Sequence, residues 1–204
     1  MRSVFCFLVF LPALAAGAAF HDDGTTGPSS PKPEAATASA AESSGADAAD
    51  AAAAALARLS TLAGQWDGTV EWSGARSDKG TMSVTYSLTG GGSAVLENLG
   101  SGGVTMMTTV YHLDGHELRM THYCAAGNQP RLKARHIDLA HGTIDFDFVD
   151  ATNLRSAAAP HVHGFTIQFV DDDHLILRFR FLAEGKESVE KITLARRAAA
   201  AGSS

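Results

Sequence analysis

The 204 residues carry 16 lysines and arginines against 22 acids, a formal charge of -6, with 45% apolar side chains. A mildly acidic chain lacks the basic stripe that nucleic-acid binding requires, so that class of partner is excluded. The apolar share is ordinary for a globular domain, and the length admits one domain with tails or two small ones.

Met1-Arg2-Ser3 is a short basic start to the apolar run Val4–Ala16, and both Ala16-Gly17-Ala18 and Gly17-Ala18-Ala19 have the small residues of a processing site. Residues 1–19 read as a secretory signal peptide, too short and wrongly flanked for a membrane span. The expected location is exported, periplasmic or secreted, and the mature chain holds no further stretch long enough for a transmembrane helix. Cys6 leaves with the signal, so Cys124 is the one remaining thiol and packing alone must hold the core. Residues 20–46, rich in Ala, Ser, Pro and acid, read as a disordered linker. Residues 47–62 read as a helix capped by Asp47 or Asp50, docking through Leu56, Leu59 and Leu62. The folded unit is then 63–197, with 198–204 a disordered tail.

Within that unit apolar and polar residues alternate, with turn signals every eight to twelve residues or so, the pattern of an all-β barrel or sandwich. The expected strands are Gly64–Trp72, Gly80–Leu88, Ser93–Leu99, Thr105–Leu113, Glu117–Cys124, Arg131–Leu139, Thr143–Val149, His161–Val170, Leu175–Ala183 and Ser188–Arg196. No internal helix is long enough to cross over a parallel pair, so neighbours pair antiparallel, giving an up-and-down barrel of about ten strands. A hairpin about Asp114-Gly115 sets Leu113 opposite His116, Tyr111 opposite Leu118, Thr109 opposite Met120 and Met107 opposite His122. A second hairpin, about Asp171-Asp172-Asp173, sets Phe169 opposite Leu175, Ile167 opposite Leu177, Phe165 opposite Phe179 and His163 opposite Phe181. These parities place His122, Cys124, His161 and His163 inward at one rim, where the loops Ser73–Lys79, Ala125–Pro130 and Asp150–Pro160 are long; the opposite turns are mostly tight. Long loops at one rim mark the open, binding end.

Gly64-Gln65-Trp66 opens the first strand after a short helix, and Arg196 or Arg197 closes the last. This resembles the lipocalin and fatty-acid-binding group, the calycins. The resemblance implies that the Trp plugs the closed end under an Arg of the final strand. Val110-Tyr111-His112-Leu113-Asp114-Gly115 and Thr121-His122-Tyr123-Cys124-Ala125-Ala126-Gly127-Asn128-Gln129-Pro130-Arg131 look like an uncharacterised family of exported bacterial lipocalin-like proteins. That likeness implies fold and compartment but no chemistry. The usual lipocalin disulfide is absent, and the Arg and Tyr that hold a fatty-acid carboxylate in intracellular relatives have no match.

The leading functional reading is a binding module: an apolar cavity lined by Met107, Tyr111, Met120, Phe146, Phe165 and Phe179 takes a small hydrophobic or amphipathic molecule. Its polar group meets Glu97, His122, His163 and Arg131 at the mouth, which Cys124 shares. The second reading is a metal- or histidine-dependent enzyme at the same mouth, with no catalytic residue assigned. His161-Val162-His163 offers two imidazoles from one strand face and His122 a third, a set suited to a divalent metal, the one cofactor considered alongside haem. His161 in the loop and His163 as an ordinary rim residue is the competing account. The His-x-His pair also resembles cupins, but the spaced Glu and Gly of that motif do not follow. Cys124 with His122 suggests a nucleophile and base, although neighbours two apart on a strand are not automatically in hydrogen-bond reach. The third reading is a structural barrel packed solid, with no ligand.

Overall fold

The computed structural model describes residues 34–198. The expected signal peptide, the first part of the linker and residues 199–204 lie outside them. Helix α1 spans Glu34–Ser60, so it starts earlier than Asp47, inside the stretch read as linker. Alanine dominates this stretch and carries the lowest cost of helix formation, and no proline lies between Pro33 and Ser60. Its last turns bury Ala52, Ala55, Leu56 and Leu59 against the barrel.

Ten strands follow: β1 Gly64–Gly74, β2 Asp78–Thr89, β3 Ala94–Ser101, β4 Val104–Asp114, β5 Glu117–Tyr123, β6 Gln129–Asp138, β7 Thr143–Thr152, β8 His161–Phe169, β9 His174–Ala183 and β10 Lys186–Arg196. Each pairs antiparallel with its sequence neighbours, and β1 pairs with β10 from Trp66 and Arg196 to Gly74 and Ser188, closing the barrel. This is the expected up-and-down, lipocalin-like architecture. Alternation explains it strand by strand. In β9, Leu175, Leu177 and Phe179 are buried while Arg178 and Arg180 face outward. Among the described residues no helix is long and apolar enough to cross a membrane.

The closed end is built as the lipocalin resemblance implies. Trp66 is fully buried and donates from Nε1 to the Leu62 carbonyl at 2.9 Å. The Arg196 guanidinium lies 4.3 Å over its ring and donates to the carbonyls of Thr61, Ala63 and Asp172 and to Asp173. Gly68 is required in β1 because a Cβ there would sit 1.9 Å from the Thr193 carbonyl oxygen of β10.

Two registers differ from the sequence reading. The β4–β5 loop is Gly115-His116, with Asp114 opposite Glu117, so Tyr111 faces Met120 and Thr109 faces His122. Gly115 takes the positive φ of +60°, and Asp114 stays in the strand, where it pairs with Arg119 at 3.0 Å. The slip is two residues, so each side chain keeps its face but changes its partner. The β8–β9 ladder agrees with expectation from Phe169 to Phe165 and then bulges: Val162 faces Phe181 and Gly164 faces Arg180, leaving His163 unpaired between them. A bulge reverses parity beyond it. Val162 therefore takes the inward place expected for His163, and is fully buried.

Candidate functional site at the barrel mouth

The interior is graded from the closed end upward. Phe146, Phe165, Phe179 and Tyr111 are all buried, with ring centroids 4.5–6.4 Å apart, and Met120 is buried beside them on β5. These residues were expected to line a cavity. Packed on one another, they belong to the hydrophobic core and do not line the mouth cavity.

Tyr111 also joins a polar network centred on Glu97, which is fully buried in β3. Tyr86 and Tyr111 donate to its Oε2 at 2.7 and 2.9 Å, and Thr109 donates to Oε1 at 3.1 Å. Thr109 Oγ1 also lies 2.9 Å from His122 Nδ1. Thr109 has one proton, already given to Glu97, so His122 must donate from Nδ1 and keep Nε2 as a bare acceptor. That Nε2 is buried without a partner, near the Phe179 ring at 5.2 Å. Burial pulls the imidazole down to about 4, so it is neutral at physiological pH. Burial raises Glu97 above the usual carboxylate range while its three hydroxyl partners oppose the rise. Burial first, and then the Glu97 charge, push both tyrosines well above their ordinary value. Glu97 and His122, expected at the mouth, therefore belong to the wall beneath it.

The mouth itself is a cavity of about 520 Å³. Trp72 of β1, Met82 of β2, Met106 and Met107 of β4, Cys124 and Phe181 of β9 give it apolar walls; Arg76, Glu184, Lys186, Ser188 and Glu190 supply its polar groups. Trp72 and Phe181 pack at 5.0 Å, and the Arg76 guanidinium lies 4.0 Å over the outer part of this pair, on the Trp72 ring. One step beyond the Thr108–Tyr123 pair, the continued ladder brings Met107 opposite Cys124. Cys124 opens the β5–β6 turn, where its carbonyl accepts from Gly127 at 2.9 Å and its sulfur accepts from the Ala126 amide at 3.5 Å. Burial raises its pKa, with the Glu190 charge adding to the rise against the Ala126 amide, so it is a thiol and not a thiolate.

Glu190 is the residue that sequence reasoning missed. It is only 4% exposed, and its Oε2 has no hydrogen-bond partner. Burial raises it from 4.5 to about 7, against weaker pulls from Arg76 and a Trp72 hydrogen bond. The signal was present in the parity of β10, where Ser188, Glu190, Ile192 and Leu194 share the buried face.

The remaining expected site residues sit elsewhere. Arg131 points outward and grips Asp150 through Nε and Nη2, both at 2.5 Å, which leaves it no role at the mouth. His163, turned aside by the bulge, lies 2.9 Å from Glu187. His161 is held by the Ala159 carbonyl at 2.7 Å and the Phe148 ring at 5.2 Å. His122, His161 and His163 thus have separate partners. Among the described residues no three His, Cys, Asp or Glu gather as a metal site requires. The pairing of Cys124 with His122 also fails, since Nδ1 of His122 is taken by Thr109 and Nε2 is unpartnered.

No family model matches the chain, and no curated protein does. Among solved structures, it is similar to a DUF3598-family protein of unknown function from Nostoc punctiforme, at 16% identity and a TM-score of 0.47, covering 67% of this chain and 48% of that one. It thus spans about half the length of that protein. A protein of M. tuberculosis is 17% identical with a TM-score of 0.49, covering 71% of this chain and 98% of that one. The S-type phycobiliprotein lyase of Guillardia theta is 7% identical with a TM-score of 0.41, covering 71% and 93%.

Proposed function

We propose that this is an exported binding barrel that holds a small, partly hydrophobic molecule in its mouth cavity. The carrying observation is the cavity itself: about 520 Å³ at the end of the barrel opposite the Trp66 and Arg196 closure, walled by aromatic and thioether side chains. Small-molecule sites have this size and this mixture of apolar wall and few polar groups. Export rests on the basic start and apolar run of residues 1–19, and is tested by sequencing the N-terminus of the protein recovered outside the cytoplasm.

Cys124 is a built-in reporter, because the thiol lines the cavity. The test is Nile red binding, followed by fluorescence, together with the rate at which a maleimide labels Cys124. Occupancy should raise the fluorescence and slow the labelling, and Met107→Trp, which fills the cavity, should abolish both effects while thermal unfolding stays cooperative. Dye binding that neither slows labelling nor responds to Met107→Trp would place binding elsewhere and defeat the proposal.

A further inference from the structure

Two carboxylates border the mouth cavity, and they differ in kind. Glu184 is exposed at the rim, whereas Glu190 is 4% exposed with Oε2 unpartnered. A buried polar atom without a partner is uncommon in folded proteins, and a buried carboxylate without one is costly. The Arg76 charge and a Trp72 hydrogen bond act on the carboxylate, but neither gives Oε2 a partner. Arg76 is stacked on Trp72 at 4.0 Å and paired with Asp78 at 3.1 Å, and Lys186 is exposed at the rim. Cys124, the other titratable group on the inner wall, is a neutral thiol that takes a hydrogen bond from Ala126. What the carboxylate lacks is a donor carrying positive charge, arriving on an apolar body that suits Met82, Met107 and Phe181.

From this geometry we infer that the mouth selects organic cations, and specifically protonated amines with an apolar tail, whose N–H groups donate to Glu190. The inference rests on the binding reading above and adds the ligand's charge. A charge-assisted hydrogen bond forms, and no bond is made or broken. A carboxylate ligand of the same length would set like charge against Glu190, and an alcohol would satisfy the oxygen without neutralising it.

The experiment compares octylamine, octanol and octanoate by calorimetric titration into the mature protein and into Glu190→Gln. It is done at about pH 8, where Glu190, with its value of about 7, is mostly ionised. Octylamine should bind the wild type at least about tenfold more tightly than octanoate, the difference expected for one hydrogen bond to a charged group. Glu190→Gln should lose that preference while octanol binding is retained, which also shows that the variant is folded. Equal affinity for the three, or an unchanged preference in Glu190→Gln, would overturn the cation assignment and leave the binding barrel standing. A preference for octanoate would overturn it too and move the polar anchor to Arg76 or Lys186. If none of the three binds and Nile red also fails, the binding reading itself falls.

Discussion

Glu190→Gln should stabilise the barrel at alkaline pH and leave it unchanged in acid. Burial raises Glu190 from 4.5 in the unfolded chain to about 7 in the fold. The folded state therefore holds the proton more tightly than the unfolded one. The protonated group favours folding fully below about 4.5, progressively less as pH rises toward about 7, and not at all above it. At about 1.4 kcal/mol per pH unit, the interval from 4.5 to about 7 amounts to about 3 kcal/mol. The near-complete burial of the side chain justifies using that figure without a discount for solvent screening. The assay is thermal unfolding of wild type and Glu190→Gln in parallel, from about pH 4.5 to 8.5, with only their difference analysed, so that other titrating groups cancel. Wild type should fall behind the variant by about 6–12 °C across this range, as about 3 kcal/mol does in a domain of this size. A difference curve that is flat in pH, or one in which glutamine is the less stable at high pH, would refute the reasoning that Glu190 is buried without an adequate partner.

The other expectations concern the interior and the closed end. Tyr111→Phe keeps the ring packed against Phe146 and Phe165 but removes a donor to Glu97, and should cost about 2 kcal/mol in urea unfolding. Combined with Tyr86→Phe, which removes the second donor to the same oxygen, the loss should depart from the sum of the two; strict additivity would show that the hydroxyls do not share Glu97. Gly68→Ala drives a Cβ to 1.9 Å from the Thr193 oxygen across the closing β1–β10 pair, and should abolish cooperative unfolding or cost more than about 3 kcal/mol. Arg131→Ala removes only an exposed pair with Asp150, so Nile red affinity and the urea unfolding midpoint should both match the wild type.

The fold was legible because most strands carry one predominantly apolar face and one polar face. In β9, a register that buried Arg178 and Arg180 would have exposed Phe179 and Phe181, and no alternative arrangement competes with that. The closed end was legible through Trp66 and Arg196, because one ring and one guanidinium make it. The mouth was harder. The β8 bulge depends on Gly164 letting the Arg180 side chain lie across it toward Asp147, a contact between strands that local alternation does not encode. That one extra residue removed His163 from the interior and with it the expected metal set. The Gly115-His116 loop moved Thr109 opposite His122, which turned an imagined mouth residue into part of the Glu97 network. Glu190 was legible in principle from the buried parity it shares with Ile192 and Leu194, but its charge and those of its neighbours Glu187 and Lys191 run against that parity.

The contrast between Glu97 and Glu190 is what sets the position of the proposed ligand. Both are carboxylates on inward faces of one barrel, and burial raises both. Glu97 is met by three hydroxyl donors from β2 and β4, so both of its oxygens are satisfied within the chain. The aromatic rings of the interior are in mutual contact and lie outside the lining of the mouth cavity. Glu190 lines the cavity and has an oxygen that the chain does not satisfy. A buried polar group that the fold leaves unpaired must be met by water, by a proton or by a ligand. Water and a proton serve the isolated barrel, which is why its stability should follow pH as argued above. In the proposed complex a ligand that brings both the donor and the charge displaces them, and the same side chain that weakens the empty barrel at alkaline pH becomes the source of the proposed selectivity.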